Sequence, residues 1–359
     1  MNETHIQYDI DQVKIELTEW LQSFFALHIF PHISAVNIWG NDALTRLLQT
    51  TVKGKMLRTA LMVTSEQVFS PVSGRNSNTI IAAAALELIQ TGLLIHDDIM
   101  DNDEKRRGMP SMHTQYADIL QKRHATETEH TGQAMAMCVG DMAFFIAIQL
   151  LSNISDPDLS RTLILLYSQE IAKVCVGQMQ DVYGGHTQKP FIREEILNMY
   201  AYKTGRYTCG LPLVTGAIIA GENDKTQKHL WRLGTHMGVI FQIKDDELNI
   251  FGESDKTGKP VDSDIREGKQ TVYRSLLMEK SSADSKEKLL HIFGNPNISS
   301  DDIAYVKNQI LTLKIDQDIS AIIEQAEKNI SEIIAHLLIS QEKKDMLTDI
   351  ISHINTRYA

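Results

Sequence analysis

One short stretch, residues 88–113, constrains this chain more than any other. It passes from an apolar segment into five carboxylates within eight residues and then into three consecutive cations. The apolar spacing predicts a helix that is buried along most of its length. Asp97 and Asp101 would then point the same way, one turn apart, because four residues advance a helix by about 400°. The charged residues are Asp97, Asp98, Asp101, Asp103 and Glu104, followed by Lys105, Arg106 and Arg107.

Carboxylates placed this closely repel one another unless a cation lies between them. Magnesium prefers oxygen ligands, and proteins usually hold it with one or two carboxylates together with substrate phosphates. An arginine just beyond the aspartates could then hold phosphate oxygens in bidentate fashion. Taken alone, however, the stretch is equally well explained as a solvated acidic helix end.

A second acidic cluster favours the metal interpretation. Another apolar helical pattern ends in paired aspartates, Asp245 and Asp246, with a further oxygen ligand, Asn249, four residues after the first. Lys259 and Lys269 follow in a segment rich in Gly and Asp, which predicts a loop. Two acidic helix ends, each followed by basic residues, are what a protein needs to clamp a diphosphate through magnesium ions.

The rest of the chain predicts a large all-α protein. Its 359 residues are 43% hydrophobic, enough for a large core, whereas aromatic residues make up only 6%. Apolar residues recur at helical spacing along most of the chain, and Lys203 and Thr204 fall in one such helix, residues 192–220. We find no convincing strand and no internal repeat. We therefore expect a single domain over residues 1–359, a helical bundle around a central cavity.

Charge and cysteine use predict a cytoplasmic protein that does not bind nucleic acid. The formal net charge of −11 argues against general nucleic-acid binding. Cys138, Cys175 and Cys209 lie far apart in apolar surroundings, which predicts buried free thiols in a reducing compartment. We find no signal-peptide pattern, and the longest apolar run, residues 80–95, contains polar residues and is too short for a transmembrane segment.

The helix before the first acidic cluster suggests what the diphosphate carries. Its apolar face lies below the aspartates, and Gln90 lies about two turns below Asp97 on nearly the same face. An apolar tunnel beneath a diphosphate-binding site suits a prenyl diphosphate. In sequence, however, the lining of a tunnel and an ordinary helix core look alike. Loss of pyrophosphate would leave an allylic carbocation, which a dry pocket protects from water. A hydrolase with paired carboxylates as acid and base is the alternative, but it leaves the cations unexplained.

The motifs between about Lys53 and Gln270 resemble those of the trans-isoprenyl diphosphate synthases of the head-to-tail polyprenyl synthetase family. The resemblance implies the class I isoprenoid synthase fold, a homodimer, and magnesium-assisted condensation of isopentenyl diphosphate with an allylic prenyl diphosphate. In that family the released pyrophosphate removes the final proton. The motifs are Gly54-Lys55-Met56-Leu57-Arg58, Asp97-Asp98-Ile99-Met100-Asp101, Arg106-Arg107-Gly108, Gly177-Gln178 with Asp181, Lys203-Thr204-Gly205, Phe241-Gln242 and Asp245-Asp246.

The resemblance also implies roles for individual residues. Magnesium, about three ions per site, would be held by Asp97, Asp101 and Asp245, supported by Asp98, Asp246 and Asn249. The allylic diphosphate would be held by Arg106, Lys203, Thr204, Gln242, Lys259 and Lys269. Isopentenyl diphosphate would be held by Lys55, Arg58, Gln90 and Arg107, and Gln178 and Asp181 would belong to the same substrate site. The residues expected to carry the catalysis are Asp97, Asp98, Asp101, Arg106, Lys203 and Asp245.

Three positions depart from the family pattern. Asn249 stands where many relatives have aspartate, and a neutral oxygen binds a cation more weakly. Thr59 stands where proline is common. The C-terminus carries one arginine, Arg357, in place of a basic cluster.

Product length should depend on the side chain that closes the far end of the tunnel, its floor. Short-chain relatives often have an aromatic residue four or five positions before the first aspartate, where this chain has Leu93 and Gly92. The floor is therefore expected deeper, at Ile89. The run Lys203–Thr208 is similar to that of geranylgeranyl-type enzymes, so geranylgeranyl diphosphate is the expected product, with farnesyl or a longer diphosphate as alternatives.

Two further functions remain open from the sequence. A class I terpene cyclase would share the fold and the ionisation chemistry, but it needs no isopentenyl pocket of the kind that Lys55 and Arg58 suggest. A non-catalytic subunit of a heteromeric synthase typically loses part of its aspartate motifs, and both motifs are nearly complete here.

Overall fold

The computed structural model describes residues 3–71, 76–106, 108–187, 189–252 and 262–357. Two residues with predicted substrate roles, Arg107 and Lys259, lie outside the described residues. The described chain is almost entirely helical, which confirms the all-α prediction. It divides into two compact units, so the prediction of one domain stays a prediction. The units are Met1–Leu166 with Thr215–Glu222, and Tyr167–Val214 with Asn223–Ala359.

The first unit contains the first acidic motif, at the end of a long helix. Its elements are α1 Glu3–Phe24, a π-helical segment Phe25–Ile29, α2 Phe30–Ile33, α3 Ile38–Val52, α4 Leu57–Phe69, α5 Ser77–Met100, β1 Lys105–Arg106, β2 Met109–Pro110, α6 Met112–Lys122 and α7 Thr128–Ser152.

The second unit contains the second acidic motif, also near the end of a long helix. Its elements are α8 Pro157–Gly185 from Tyr167 onward, α9 Arg193–Tyr200, a π-helical segment Ala201–Gly210, α10 Leu211–Ile219 up to Val214, α11 Asp224–Phe251, α12 Ser263–Glu267, α13 Val272–Lys280, α14 Ala283–Ile292, α15 Ser300–Thr312, α16 Ile315–His336 and α17 Gln341–Arg357.

A small hairpin follows the first acidic motif, which the sequence analysis did not predict. Lys105 pairs with Pro110, and Arg106 pairs with Met109, in antiparallel register. The turn residue Gly108 has a φ of 73°, a left-handed conformation that glycine adopts without strain. The expectation of no strand is therefore wrong here, because two residues per strand are too few to give an alternating pattern.

Helix α5 forms the core of the first unit. Residues 82–86, four alanines and a leucine, are completely buried. Further along, α5 meets α7 at a pair of glycines: a Cβ on Gly92 would lie 2.8 Å from the carbonyl oxygen of Gly140. Small residues at this crossing let the two backbones approach, and they hold the end of α5 firmly against α7.

Glycine pairs also position the second motif. A Cβ on Gly238 of α11 would lie 1.9 Å from the Cα of Gly205, and one on Gly234 would lie 2.3 Å from the Cα of Gly210. Helix α11 therefore packs directly on the backbone of the second π-helical segment. The helix expected over residues 192–220 is present as α9, this π-helical segment and α10 in unbroken succession, and the π-helical segment carries Lys203 and Thr204.

Two helices among the described residues, α5 and α7, are long and apolar enough to cross a membrane by length and composition alone. A core helix passes the same test, and the apolar window of α5 is 78% buried, whereas that of α7 is only 44% buried.

The prediction that all three cysteines are buried is wrong at two positions. Cys138 and Cys175 are exposed, and Cys209 is buried.

Candidate active site

In the first unit, the aspartates at the end of α5 surround the guanidinium of Arg106 on the hairpin. The Nε of Arg106 donates to Oδ1 of Asp98 over 2.5 Å, and its Nη2 lies 3.3 Å from Oδ2 of both Asp97 and Asp103. Asp97 and Asp101 remain half-buried, whereas Asp98 is 3% exposed. The hairpin thus turns the chain back so that a cation faces the predicted metal ligands.

The electrostatics of this cluster depend on burial and on the arginine. Burial raises the pKa of Asp98 to about 6, although the neighbouring Arg106 opposes the rise. Burial disfavours the charged guanidinium, but the carboxylates of Asp98, Asp97 and Asp103 outweigh this and raise the pKa of Arg106 above its ordinary value. Arg106 therefore stays charged and neutralises an otherwise repulsive group of aspartates.

The predicted isopentenyl diphosphate residues surround the start of α4 and the middle of α5. Lys55 is exposed in the turn before α4, and Arg58 is half-buried in its first turn. Met56 precedes this turn with a φ of 57°, and no side chain of its own segment caps the helix. Gln90 is 7% exposed, and its Oε1 has no hydrogen-bond partner among the described residues. Such a buried acceptor is costly unless a ligand or water reaches it.

The residues predicted to set product length lie within α5, one to two turns before the aspartates. Ile89 is buried and Leu93 is half-buried. Gly92 faces α7, where a Cβ would lie 2.9 Å from the ring of Phe144. Phe144 also packs edge-on against His96, with ring centroids 5.5 Å apart. The aromatic bulk absent at Gly92 is thus supplied by another helix, which sequence spacing within α5 could not reveal.

In the second unit, two lysines share one buried carboxylate. The Nζ of Lys203 lies 2.6 Å from Oδ2 of Asp181, and the Nζ of Lys269 lies 3.1 Å from the same oxygen. Burial alone would raise the pKa of Asp181, but the two ammonium groups outweigh it and hold that pKa below its ordinary value. Asp181 therefore brings together two lysines that are 66 residues apart in sequence. Gln178 lies half-buried one turn earlier on α8.

The aspartates of the second motif have different surroundings. Asp245 is exposed, whereas Asp246 is 2% exposed and accepts hydrogen bonds from the Tyr200 hydroxyl and, over 3.1 Å, from Nε2 of Gln242. The hydroxyl of Thr204 donates to Oε1 of Gln242 over 3.0 Å. Burial, and next the carboxylate of Asp264, raise the pKa of Asp246 well above its ordinary value. Asp246 therefore organises predicted substrate residues, while Asp245 stays accessible.

Asn249 is engaged in holding the chain that follows the second motif. Its Oδ1 accepts a hydrogen bond from the backbone N–H of Asp264 over 3.1 Å, and its Nδ2 donates to the Ser263 hydroxyl over 2.7 Å. The supporting metal role of Asn249 stays a prediction.

Two residues of this site, Asp264 and Tyr200, were not among the candidates that the sequence indicated. Burial raises the pKa of Asp264 to about 7. The Asp-rich loop composition was the only signal for Asp264, and Tyr200 gave none.

The donor set suits magnesium, with the remaining ligands coming from a substrate. Among the described residues, no three His, Cys, Asp or Glu side chains already form a closed cage. Magnesium typically needs only one or two protein carboxylates when phosphates complete its octahedron. The sequence analysis assigned this role to Asp97 and Asp101, which are half-buried, and to Asp245, which is exposed, and the assignment stays a prediction.

Comparison with known proteins gives a consistent result. The family model for polyprenyl synthetase matches residues 41–310. A short chain isoprenyl diphosphate synthase from Methanocaldococcus jannaschii is 36% identical over 222 residues, 62% of this chain and 62% of that protein. A geranylgeranyl diphosphate synthase from Sulfolobus acidocaldarius is 33% identical over 257 residues, 70% of this chain and 72% of that protein.

A solved structure extends the similarity to nearly the whole chain. It is a geranylgeranyl pyrophosphate synthase from Corynebacterium glutamicum complexed with isoprenyl diphosphate and magnesium. The TM-score is 0.86 at 27% identity, and 98% of each chain is covered. The predicted class I isoprenoid synthase fold is thereby confirmed. The chain belongs to the polyprenyl synthetase family of prenyltransferases.

Proposed function

We propose that this enzyme joins isopentenyl diphosphate head to tail to an allylic prenyl diphosphate, releasing pyrophosphate and forming geranylgeranyl diphosphate. The observation that carries the proposal is the pairing of carboxylates with cations in both units. Arg106 faces the aspartates of the first motif, and Lys203 and Lys269 share Asp181. Similarity to synthases that make this product, including one complexed with magnesium, supports the choice.

The chemistry follows from where charge develops. As the allylic carbon–oxygen bond breaks, negative charge builds on the departing pyrophosphate, and cations already aimed at it lower the barrier. Bound magnesium, about three ions per site, would supply Lewis-acid stabilisation of the same oxygens. When the allylic substrate binds, phosphate oxygens would replace carboxylates as the hydrogen-bond acceptors of Arg106, Lys203 and Lys269. Apolar side chains such as Leu93 and Ile89 would keep water from the carbocation.

Isopentenyl diphosphate, the second substrate, requires an anion site of its own. Lys55 and Arg58 would hold the diphosphate of isopentenyl diphosphate, and Gln90, which is 7% exposed, would contact the same substrate. This second site distinguishes chain elongation from cyclisation, which uses one diphosphate. Carbon–carbon bond formation would then be followed by loss of a proton to the released pyrophosphate.

Removing the accessible aspartates tests the metal role. We expect Asp97→Ala and Asp245→Ala each to lower kcat/KM by at least about a hundredfold, because a cation that neutralises the leaving diphosphate loses a ligand. Incorporation of labelled isopentenyl diphosphate into longer diphosphates measures the effect, with a chelator expected to abolish it and added magnesium to restore it. Asp118→Ala, at an exposed carboxylate of α6, is the matched control.

Parent-level elongation by both aspartate variants would contradict the metal role. Hydrocarbon or alcohol formed from farnesyl diphosphate by the parent protein, in place of a longer diphosphate, would instead identify a cyclase.

Product length tests the tunnel assignment. We expect Leu93→Phe to shift the main product from geranylgeranyl to farnesyl diphosphate, because an aromatic ring one turn below Asp97 shortens the space for the growing chain. Chromatography of the dephosphorylated products gives the distribution. Leu311→Phe, a matched change at an exposed position, should leave it unaltered. An unchanged distribution in Leu93→Phe would remove Leu93 from the tunnel.

We also propose that the enzyme works in the cytoplasm as a homodimer with α7 at the contact between copies. Met137, Phe145 and Ile148 are 45%, 72% and 42% exposed, and their spacing places them along one side of α7. An exposed apolar face of this kind is typical of a protein–protein interface. A second copy is the occupant that the resemblance to homodimeric synthases favours.

Replacing the most exposed of these residues tests the dimer. We expect Phe145→Asp to give a monomer in sedimentation velocity, because a charge at the centre of an apolar interface would be desolvated without a partner. Phe145→Leu keeps the surface apolar and should remain dimeric. A parent protein that sediments as a monomer at micromolar concentration would overturn the proposal.

A further inference from the structure

Thr59 on α4 and Glu87 on α5 form a completely buried polar contact that no predicted role uses. The hydroxyl of Thr59 donates to Oε1 of Glu87 over 2.9 Å, and the backbone N–H of Thr59 donates to the same oxygen over 3.3 Å. Thr59 is 0% exposed and Glu87 is 4% exposed. A hydrogen bond in such buried surroundings is electrostatically stronger than one in water, so the contact fixes two helices in one register.

The contact also completes the start of α4. The first N–H groups of a helix have no partner within the helix, and a carboxylate placed there is favoured by the helix dipole. Met56, at the cap position, provides no side-chain hydrogen bond. Glu87 takes over this capping from a different helix, and therefore couples the beginning of α4 to the middle of α5.

Both partners adjoin residues predicted to bind isopentenyl diphosphate. Arg58 directly precedes Thr59, and Gln90 follows Glu87 by three residues, which makes them neighbours on the surface of α5. The buried Oε1 of Gln90 has no hydrogen-bond partner among the described residues, which points independently to a ligand at this place. The Thr59–Glu87 contact thus sets the separation between the two helix segments that carry Arg58 and Gln90.

We propose that Thr59 and Glu87 are positioning residues for the isopentenyl diphosphate site, an inference that rests on the proposed function. They touch no substrate, and they act by holding Arg58 and Gln90 at the separation that one diphosphate spans. A proline at position 59 would have neither an N–H nor a hydroxyl to donate. This chain therefore has a link between α4 and α5 that proline cannot make.

Substrate-specific kinetics test the proposal. Thr59→Val removes the hydroxyl with little change in shape, and we expect the KM for isopentenyl diphosphate to rise about tenfold. The KM for the allylic substrate and kcat should stay within about twofold, because the first aspartate motif is not touched. Thr59→Ser keeps the donor and should restore the parent KM. Glu87→Gln should raise the same KM, and the double variant should add little to the larger single effect.

A second buried threonine provides the matched control. Thr51 is 1% exposed and donates its hydroxyl within its own helix, to the carbonyl oxygen of Leu47. Thr51→Val should lower thermal stability without changing the ratio of the two KM values. Calorimetric titration of isopentenyl diphosphate into folded Thr59→Val protein gives a direct binding readout, and we expect weaker binding by the same factor.

Two results would overturn the inference. One is an unchanged KM for isopentenyl diphosphate in Thr59→Val, and the other is an equal rise for both substrates. A parent enzyme that does not elongate with isopentenyl diphosphate would contradict the proposed function itself, which keeps the two failures apart.

Discussion

Neutralising crowded carboxylates is the physical constraint on which the rest of this structure depends. Aspartates at a helix end repel one another, and burying any of them adds a desolvation penalty that only a cation or several hydrogen bonds can offset. The first unit offsets it with Arg106, which the pairing of β1 with β2 places beside the aspartates of α5. The second unit offsets it at Asp181 with Lys203 and Lys269. In each unit the neutralising cations are groups that can also hold phosphate oxygens.

In both acidic motifs the two neighbouring aspartates differ in burial. In each, the second aspartate is buried and has a raised pKa, whereas the first is more exposed: Asp97 is half-buried beside Arg106, and Asp245 is exposed. Adjacent helical residues differ in direction by about 100°, so one carboxylate can face the interior while its neighbour faces outward. Asp98 and Asp246 therefore anchor each cluster, and Asp97 and Asp245 are the proposed metal ligands.

Sequence reasoning succeeded where the signal was local and periodic. Helical spacing gave the fold class, and the apolar run before Asp97 gave the buried helix α5. It failed where long-range packing decides the outcome. Residues 201–210 form a π-helical segment in which Gly205 closely approaches Gly238, and nothing in either segment alone specifies that contact. Thr59 was recognisable as a departure from the family pattern, but its partner Glu87, 28 residues away, was not.

We propose that aspartates of both motifs hold the metal ions that bind the allylic diphosphate. Anomalous diffraction from crystals grown with manganese and an allylic thiolodiphosphate, which resists ionisation, tests it most directly. We expect manganese bound to carboxylate oxygens of Asp97, Asp101 and Asp245, with the diphosphate contacted by Arg106 and Lys203. Manganese and diphosphate bound away from either aspartate motif would contradict it.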